Sequence, residues 1–275
     1  MPFNLKKYQN RANLDDLIVE VKDLTQPSHS EISAIKKRCQ QYNMAIFATT
    51  KTAGINSNHL KQFSSHFGLR HLQHNEGADN LGVSAIQEKQ HQWRKTYIPY
   101  TTKAINWHTD GYYNTLDEQI KGMLLYCDTP APEGGENALL DHELAYLYLR
   151  EQGEQYIKAL MHPEAMMIPF NDVADHIQRP NRYGPVFSIN KENQLHMRYT
   201  ARKRNIVWRD NKETQQAVQL LADFLNSDHP WIIKATLQSG QGLICNNVLH
   251  NRSAFNNNEE QQRLLYRCRY FDRIC

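Results

Sequence analysis

The chain has 275 residues, of which 40% are hydrophobic and 22% charged, as in an ordinary globular protein. We expect a single domain over residues 1–275, because no Pro-, Gly- or Ser-rich linker divides the chain. A net charge of +3 argues against a nucleic-acid partner, and the lack of a long apolar stretch or secretory signal argues against a membrane span and export.

Short apolar runs separated by turns predict a chain rich in strands. In chain order, strands are expected at residues 17–21, 44–48, 81–86, 122–127, 136–140, 165–168, 186–189, 195–199, 231–237 and 243–249. This pattern predicts a mainly β protein with flanking helices (α+β), built on a β-sandwich or jelly roll core.

Four helices are expected between these strands. The first begins at the capping box Ser28-x-x-Glu31 and ends near Asn43, and the second ends at Gly68. The third begins after Asp141, which can cap it. The fourth carries an apolar stripe made of Val218, Leu221, Ala222 and Leu225.

The polar segment 87–95 precedes the first candidate site. Such a segment could be a mobile lid over a catalytic centre or an ordinary surface loop, and the sequence leaves both open.

The cysteines are odd in number and scattered, without a close pair: Cys39, Cys127, Cys245, Cys268 and Cys275. This spacing argues against a zinc cluster and against a disulfide framework. We expect reduced thiols and a cytoplasmic location. A homo-oligomer is left open.

A short polar motif, Asn106-Trp107-His108-Thr109-Asp110-Gly111, holds the first candidate metal ligands. His108 and Asp110 are two positions apart, so on a strand they would point to the same side. A His-x-Asp pair supplies two of the three ligands of the 2-His-1-carboxylate triad that binds non-haem Fe(II). A third ligand should come from a distant strand.

His250 follows the apolar run 243–249 and could deliver that third ligand. Taken alone, a histidine in this position is more often a hydrogen-bonded structural residue.

The last predicted strand places Arg263, Arg267 and Arg269 at the same parity. Three guanidinium groups on one face are unexpected in a core unless an anion lies opposite, and the arginine fork suits a carboxylate. The alternative is an exposed edge strand with solvated arginines.

The order of these motifs resembles the taurine dioxygenase-like branch of the Fe(II)/2-oxoglutarate-dependent oxygenases. The shared points are Trp107-His108-Thr109-Asp110, Gly134-Gly135-Glu136, Asn247-x-x-His250 and Arg263-x-x-x-Arg267. The resemblance covers roughly residues 15–273 and implies a double-stranded β-helix (jelly roll) core.

Carried over residue by residue, the resemblance implies that His108, Asp110 and His250 are the catalytic iron ligands. It implies that Arg263 binds the distal carboxylate of 2-oxoglutarate, the co-substrate consumed with O₂. Arg267 matches the arginine that in taurine dioxygenase holds the anionic group of the substrate. Related enzymes keep an arginine there with other substrates, so Arg267 does not identify taurine.

Two further residues have weaker assignments. Asn137 stands where the family often has a threonine that helps to hold the co-substrate, and it could still donate a hydrogen bond. Arg198 lies in the basic segment 197–204 and could grip an acidic substrate, although a solvated basic face is the alternative.

The function that these residues predict is an Fe(II)- and 2-oxoglutarate-dependent dioxygenase that hydroxylates a C–H bond and releases succinate and CO₂. The expected substrate is a small anionic or zwitterionic metabolite. Hydroxylation of a protein or peptide side chain, and a non-catalytic jelly-roll ligand-binding protein, are the alternatives. A zinc hydrolase is disfavoured, because Arg263 would have no role in it.

Overall fold

The computed structural model describes residues 12–74, 77–88, 97–170 and 179–274, and these residues form six α-helices and seventeen strands. The helices are α1 (Leu14–Leu17), α2 (His29–Tyr42), α3 (Ser57–Ser65), α4 (His142–Gln152), α5 (Glu154–Leu160) and α6 (Lys212–Leu225). The strands are β1 (Ile18–Glu20), β2 (Met44–Ala48), β3 (Ser84–Gln87), β4 (Ile105–His108), β5 (Gly122–Thr129), β6 (Glu133–Gly134), β7 (Asn137–Leu140), β8 (Met166–Ile168), β9 (Arg182–Gly184), β10 (Phe187–Ile189), β11 (Leu195–Met197), β12 (Val207–Trp208), β13 (Ile233–Ala235), β14 (Gln241–Cys245), β15 (Leu249–Arg252), β16 (Phe255–Asn256) and β17 (Leu264–Tyr270).

The best-predicted region is the first helix–strand unit. Ser28 and Glu31 form the expected capping box at the start of α2, since each side chain accepts a hydrogen bond from the backbone N–H of the other. Asn43 ends the helix in the left-handed conformation, with φ of 58°. The chain then enters β2, whose bounds match the predicted strand.

Two predicted elements differ in part from the structure, and one helix was not predicted. The run 243–249 is not one strand, because β14 ends at Cys245 and the chain turns at Asn247, where φ is 50°, before β15 begins in another sheet. Helix α5 was not predicted, and α3 ends at Ser65, before Gly68. Most of the candidate lid lies outside the described residues, which omit 89–96.

The larger sheet has six strands in the order β1-β2-β14-β5-β17-β3. Its outer face packs under α2 and α3, where Phe47, Tyr126 and Phe63 are fully buried. Its other face carries Met123, Leu243 and neighbouring apolar side chains into a second core. Because both faces are covered, the strands read as continuous apolar runs rather than as alternating patterns.

The smaller sheet has four strands in the order β13-β7-β15-β4. Leu139 and Ile233 of this sheet pack in one core with Met123 and Leu243 of the larger sheet, so the two sheets face each other. The opposite face of the smaller sheet is covered by the helices α4, α5 and α6. The space between the two sheets is where the candidate site residues converge.

The architecture is a mixed α+β fold made mostly of sheets with few helices, which confirms the predicted class. Within the described residues, none of the helices has the length and apolar character needed to cross a lipid bilayer.

Candidate active site

Two histidines face each other where β4 and β15 pair. His108 and His250 are direct partners in this antiparallel pair, and their ring centroids lie 4.2 Å apart. Their strand neighbours Trp107 and Leu249 belong to the core on the other side of the sheet. Because side chains alternate along a strand, both imidazoles therefore point between the sheets.

Each imidazole is oriented by a local backbone carbonyl. The Nδ1 atom of His108 donates to the carbonyl of Asn106, and Nδ1 of His250 donates to the carbonyl of Val248, both at 2.9 Å. This arrangement leaves Nε2 of each ring as the free lone pair. Burial lowers the pKa of His108 to about 3 and also lowers the pKa of His250, so both rings are neutral.

Asp110 follows β4 after one residue and completes the cluster. Its Oδ1 atom lies 4.0 Å from Nε2 of His108 and accepts a hydrogen bond from Nη1 of Arg267 at 3.2 Å. Burial acts to raise the pKa of Asp110, but Arg267 and Arg269 overcome it and hold the pKa well below its ordinary range. The carboxylate is therefore ionised although its side chain is 5% exposed.

The three side chains make a donor set that fits a divalent metal ion. One ligand atom from each of His108, Asp110 and His250 lies within 4.8 Å of the other two. The Oδ2 atom of Asp110 is buried and has no hydrogen-bond partner among the described residues. Two neutral imidazoles and one carboxylate with an unsatisfied oxygen are the set that holds non-haem Fe(II) in a facial triad.

Asn247 fixes the backbone of Asp110. Its Oδ1 atom accepts from the N–H of Asp110 at 2.8 Å, and its Nδ2 atom donates to the carbonyls of Asp110 at 2.9 Å and Ile120 at 2.6 Å. The asparagine lies in the turn between β14 and β15, three residues before His250. One turn therefore positions two of the three metal-facing side chains.

Arg263 carries a buried guanidinium group. Its side chain lies just before β17, packs over the ring of Phe255 at 4.9 Å, and forms no ion pair within the described part of the chain. Burial lowers its pKa to about 10, so it stays charged at neutral pH. A Cβ at Gly135 would lie 3.3 Å from Nε of Arg263, so glycine there lets the backbone approach the guanidinium.

Arg252 packs over the same ring of Phe255, at 4.8 Å, but both of its Nη atoms already have partners, while its buried Nε atom has none among the described residues. It donates to the carbonyls of Pro99 and Thr101, and also to that of Lys103. The contrast identifies Arg263 as the guanidinium of this pair that is available to an anion.

Arg267 and Arg269 extend into the space between the sheets. They lie opposite Leu125 and Met123 in the β17–β5 pair, and Met123 is part of the core that the two sheets share. Arg267 contacts Asp110, whereas Nη1 of Arg269 donates to the hydroxyl of Tyr113 at 2.8 Å. The sequence predicted that these two arginines lie on the same face of a strand. The alternative interpretation, an exposed edge strand with solvated arginines, is wrong, since Arg269 is 4% exposed.

Asn137 and Arg198 are both buried and already hold backbone groups. Nδ2 of Asn137 donates to the carbonyl of Asn251 on β15. Arg198 is 3% exposed, which contradicts a solvated face at this position. Its guanidinium donates to the carbonyls of Tyr112 and Arg182, while its Nη1 atom has no partner among the described residues.

Sequence reasoning gave no role to three residues around the site, which are Asn247, Tyr113 and Phe255. Asn247 carried a weak signal, because asparagine tolerates the left-handed conformation and follows an apolar strand. Tyr113 lies three residues after Asp110, but nothing in its local sequence indicates a partner on β17. Phe255 lacked any signal, because its contact with Arg263 depends on the pairing of β16 with β6.

Solved structures share the fold of this chain. The non-haem iron oxygenase OrfP, solved in complex with Fe and alpha-ketoglutaric acid, superimposes with a TM-score of 0.65 at 13% identity, over 90% of this chain and 81% of that chain. An asparagine oxygenase in complex with Fe(II), 3-hydroxyasparagine and succinate gives a TM-score of 0.64 at 9% identity, over 92% and 93%. At these identities the likeness concerns the fold.

The family follows from the sequence comparison. The model of the taurine catabolism dioxygenase TauD, TfdA family matches residues 11–269, so the chain belongs to that family, which confirms the resemblance. A uridine-5'-phosphate dioxygenase from an Amycolatopsis species is 30% identical over 179 residues. That match spans 62% of this chain and 62% of the relative's length.

Proposed function

We propose that this protein is an Fe(II)- and 2-oxoglutarate-dependent dioxygenase. The observation that carries the proposal is the convergence of two neutral imidazoles and an ionised carboxylate, together with Arg263, a buried arginine that forms no ion pair among the described residues. A protein that only bound a ligand would have no need for three convergent metal donors. A buried cation without a partner is costly, so Arg263 requires an anion that the described part of the chain does not supply.

The residues would divide the binding work as follows. Nε2 of His108, Nε2 of His250 and a carboxylate oxygen of Asp110 would hold Fe(II). Arg263 would pair with the distal carboxylate of 2-oxoglutarate, with Phe255 fixing the plane of its guanidinium. Asn137 would lie at the rim of this pocket, where one of its amide hydrogens already bonds to Asn251.

When bound, iron with 2-oxoglutarate and O₂ supplies the oxidation, in which 2-oxoglutarate yields succinate and CO₂ and a substrate C–H bond is hydroxylated. The side chains contribute orientation and exclusion of water. The hydrogen bonds from the histidine Nδ1 atoms keep both rings in the metal-binding tautomer. Asn247 holds the backbone of Asp110 by a hydrogen bond, while Arg267 forms an ion pair with the carboxylate of Asp110.

For the substrate, we propose a small anionic metabolite that reaches Arg267. The relative from Amycolatopsis is named for uridine 5'-phosphate, which makes a nucleoside 5'-phosphate the first candidate. Arg267 supports an anion, because its contact with Asp110 leaves its Nε atom buried without a partner among the described residues. Arg198 would support the same region indirectly, by holding the carbonyl of Tyr112.

A turnover screen tests this function. Purified protein with Fe(II), 2-oxoglutarate and O₂ is offered uridine 5'-phosphate, free amino acids and taurine, and succinate is measured together with loss of each candidate. The proposal expects succinate in step with the loss of one candidate, and no succinate from the Asp110→Ala variant. Equal succinate formation by the Asp110→Ala variant would contradict the roles given to the cluster.

We further propose that the two facing sheets form a double-stranded β-helix (jelly roll) within a single domain. The core shared by both sheets supports this arrangement. A cytoplasmic location is also proposed, which the buried free thiols of Cys39, Cys127, Cys245 and Cys268 support. The absence of a nucleic-acid partner stays a prediction, and a homo-oligomer is left open.

A further inference from the structure

We propose that Arg267, Arg269 and Tyr113 form a pocket for a doubly charged phosphate monoester group on the substrate. This inference rests on the proposed function, because it counts the charges of iron and 2-oxoglutarate. It deepens that function by assigning the phosphate of the candidate substrate to particular side chains, and it adds Arg269 and Tyr113 to the residues that contact the substrate.

The two arginines form a pair on one face of β17. Arg267 is held by Asp110 through Nη1, and Arg269 by Tyr113 through Nη1, at 3.2 Å and 2.8 Å. The Nε atom of each is buried and has no partner among the described residues. Since Arg269 is 4% exposed, its unused donor is not solvated. The pair therefore presents two unsatisfied cationic donors between the sheets.

Tyr113 adds a third donor to this pocket. Its hydroxyl oxygen accepts from Arg269, so its own proton is available to an acceptor, and none occurs among the described residues. The ring is fixed by Tyr112, with centroids 5.2 Å apart, and by Arg179, whose Cζ lies 4.5 Å from the ring centroid. A tyrosine held in this way is positioned to donate to an oxygen of a bound anion.

The charge balance of the site favours a dianion. Fe(II) and fully ionised 2-oxoglutarate cancel each other, so the side chains decide the remaining charge. Four guanidinium groups are buried or nearly so in this region, those of Arg252, Arg263, Arg267 and Arg269, and among the described residues only the carboxylate of Asp110 pairs with one of them. The described side chains therefore leave an excess of at least two positive charges, and charges buried in a protein are stable only when they are paired.

A phosphate monoester fits both the charge and the donors. Near neutral pH it carries a charge of about −1.5 to −2 and offers three strong acceptor oxygens. The donors without a partner among the described residues include two guanidinium Nε–H groups and one phenol. A carboxylate or sulfonate would leave at least one positive charge unbalanced, and a neutral substrate would leave at least two.

The test is anaerobic binding, which avoids turnover. Protein loaded with Fe(II) and 2-oxoglutarate is titrated in a calorimeter with two matched pairs, uridine 5'-phosphate against uridine and ribose 5-phosphate against ribose. The proposal expects the phosphorylated member of each pair to bind at least about tenfold more tightly, for more than 1.4 kcal/mol of added contact. Equal affinities within both pairs, or tighter binding of singly charged taurine, would overturn it.

Variants assign the effect to these residues. Tyr113→Phe should weaken binding of uridine 5'-phosphate about 10- to 100-fold, as expected for the loss of one hydrogen bond to a charged group. The affinity for uridine should not change. Tyr183→Phe, which removes a phenol that is 54% exposed, is the matched control and should change neither affinity. Arg269→Lys should retain more affinity than Arg269→Gln. Unchanged phosphate binding in folded Tyr113→Phe would contradict the pocket.

The visible absorption of the Fe(II)–2-oxoglutarate complex separates the two levels of inference. If that absorption forms but the phosphorylated ligands bind no better than their partners, the phosphate pocket is wrong and the proposed function stands. If the absorption does not form in folded, iron-loaded protein, the proposed function itself fails.

Discussion

Asn247 satisfies both backbone hydrogen-bonding groups of Asp110, accepting from its N–H at 2.8 Å and donating to its carbonyl at 2.9 Å. The two residues come from different parts of the chain, and the contact joins the turn after β4 to the turn before β15. His108 and His250 lie at the adjacent ends of these strands. The asparagine therefore holds together the two segments that carry the metal-facing side chains.

Replacing Asn247 should damage both stability and metal binding. Asn247→Ala removes three buried hydrogen bonds and a residue that tolerates φ of 50°, so we expect a loss of about 2–4 kcal/mol in the free energy of unfolding. Denaturant unfolding measures this loss, and Fe(II) titration should show weaker binding.

Asn193 offers the matched control for that variant. It has φ of 56° but lies exposed in a turn. Asn193→Ala should therefore cost only the backbone term, about 1 kcal/mol, without changing iron affinity. Equal effects of the two substitutions would show that Asn247 acts through its backbone conformation alone.

Arg263 should control the affinity for 2-oxoglutarate. Arg263→Gln removes the charge that would pair with the distal carboxylate, and we expect a loss of roughly 2–5 kcal/mol in co-substrate binding with little change in iron affinity. Calorimetric titration of the iron-loaded protein measures both quantities.

A variant of Arg252 is the control for Arg263→Gln, because it distinguishes pairing with the co-substrate from packing against Phe255. Arg252 packs over the same Phe255 ring but donates to backbone carbonyls, so Arg252→Gln should lower stability far more than it lowers intrinsic co-substrate affinity. Normal 2-oxoglutarate binding by Arg263→Gln would show that the co-substrate arginine has been assigned wrongly.

Acid should destabilise the protein through His142. This side chain is 1% exposed and donates from Nε2 to the carbonyl of Leu195. Burial lowers its pKa below the ordinary histidine value of 6.5, although Asp141 acts in the opposite direction. Below pH 6.5 this histidine is therefore protonated more readily in the unfolded chain than in the folded chain. The free energy of unfolding should fall as the pH decreases below 6.5.

Melting temperatures between pH 7 and pH 5 check this prediction. His142→Gln keeps a donor for Leu195 but cannot be protonated, so its melting temperature should depend less on pH than that of the unmodified protein. Substitution of the exposed His29 by glutamine is the control and should leave the dependence unchanged. A steeper dependence in His142→Gln would contradict the assignment.

Local signals predicted much of the fold and the outline of the site. The capping box of α2 and the apolar run of β2 are decided by neighbouring residues, so their bounds could be read directly. His108 and Asp110 were recognisable because their spacing has a chemical meaning. The parity of Arg267 and Arg269 follows from strand geometry alone.

The remaining features depend on contacts between distant segments. The break between β14 and β15 occurs inside an apolar run, and Asn247 turns there because its partners are Asp110 and Ile120. The hydrogen bond between Arg269 and Tyr113 requires β17 to lie beside the turn after β4. Neither relationship has a periodic signature, so sequence pattern could not supply them.

The central claim is that His108, Asp110 and His250 hold iron while 2-oxoglutarate binds beside it. The most direct measurement is the absorption spectrum of the anaerobic protein after addition of Fe(II) and 2-oxoglutarate. We predict a weak visible charge-transfer band that is retained in Tyr183→Phe and lost in His108→Ala. Folded, iron-loaded protein that shows no such band, or a band that persists unchanged in His108→Ala, would contradict the account.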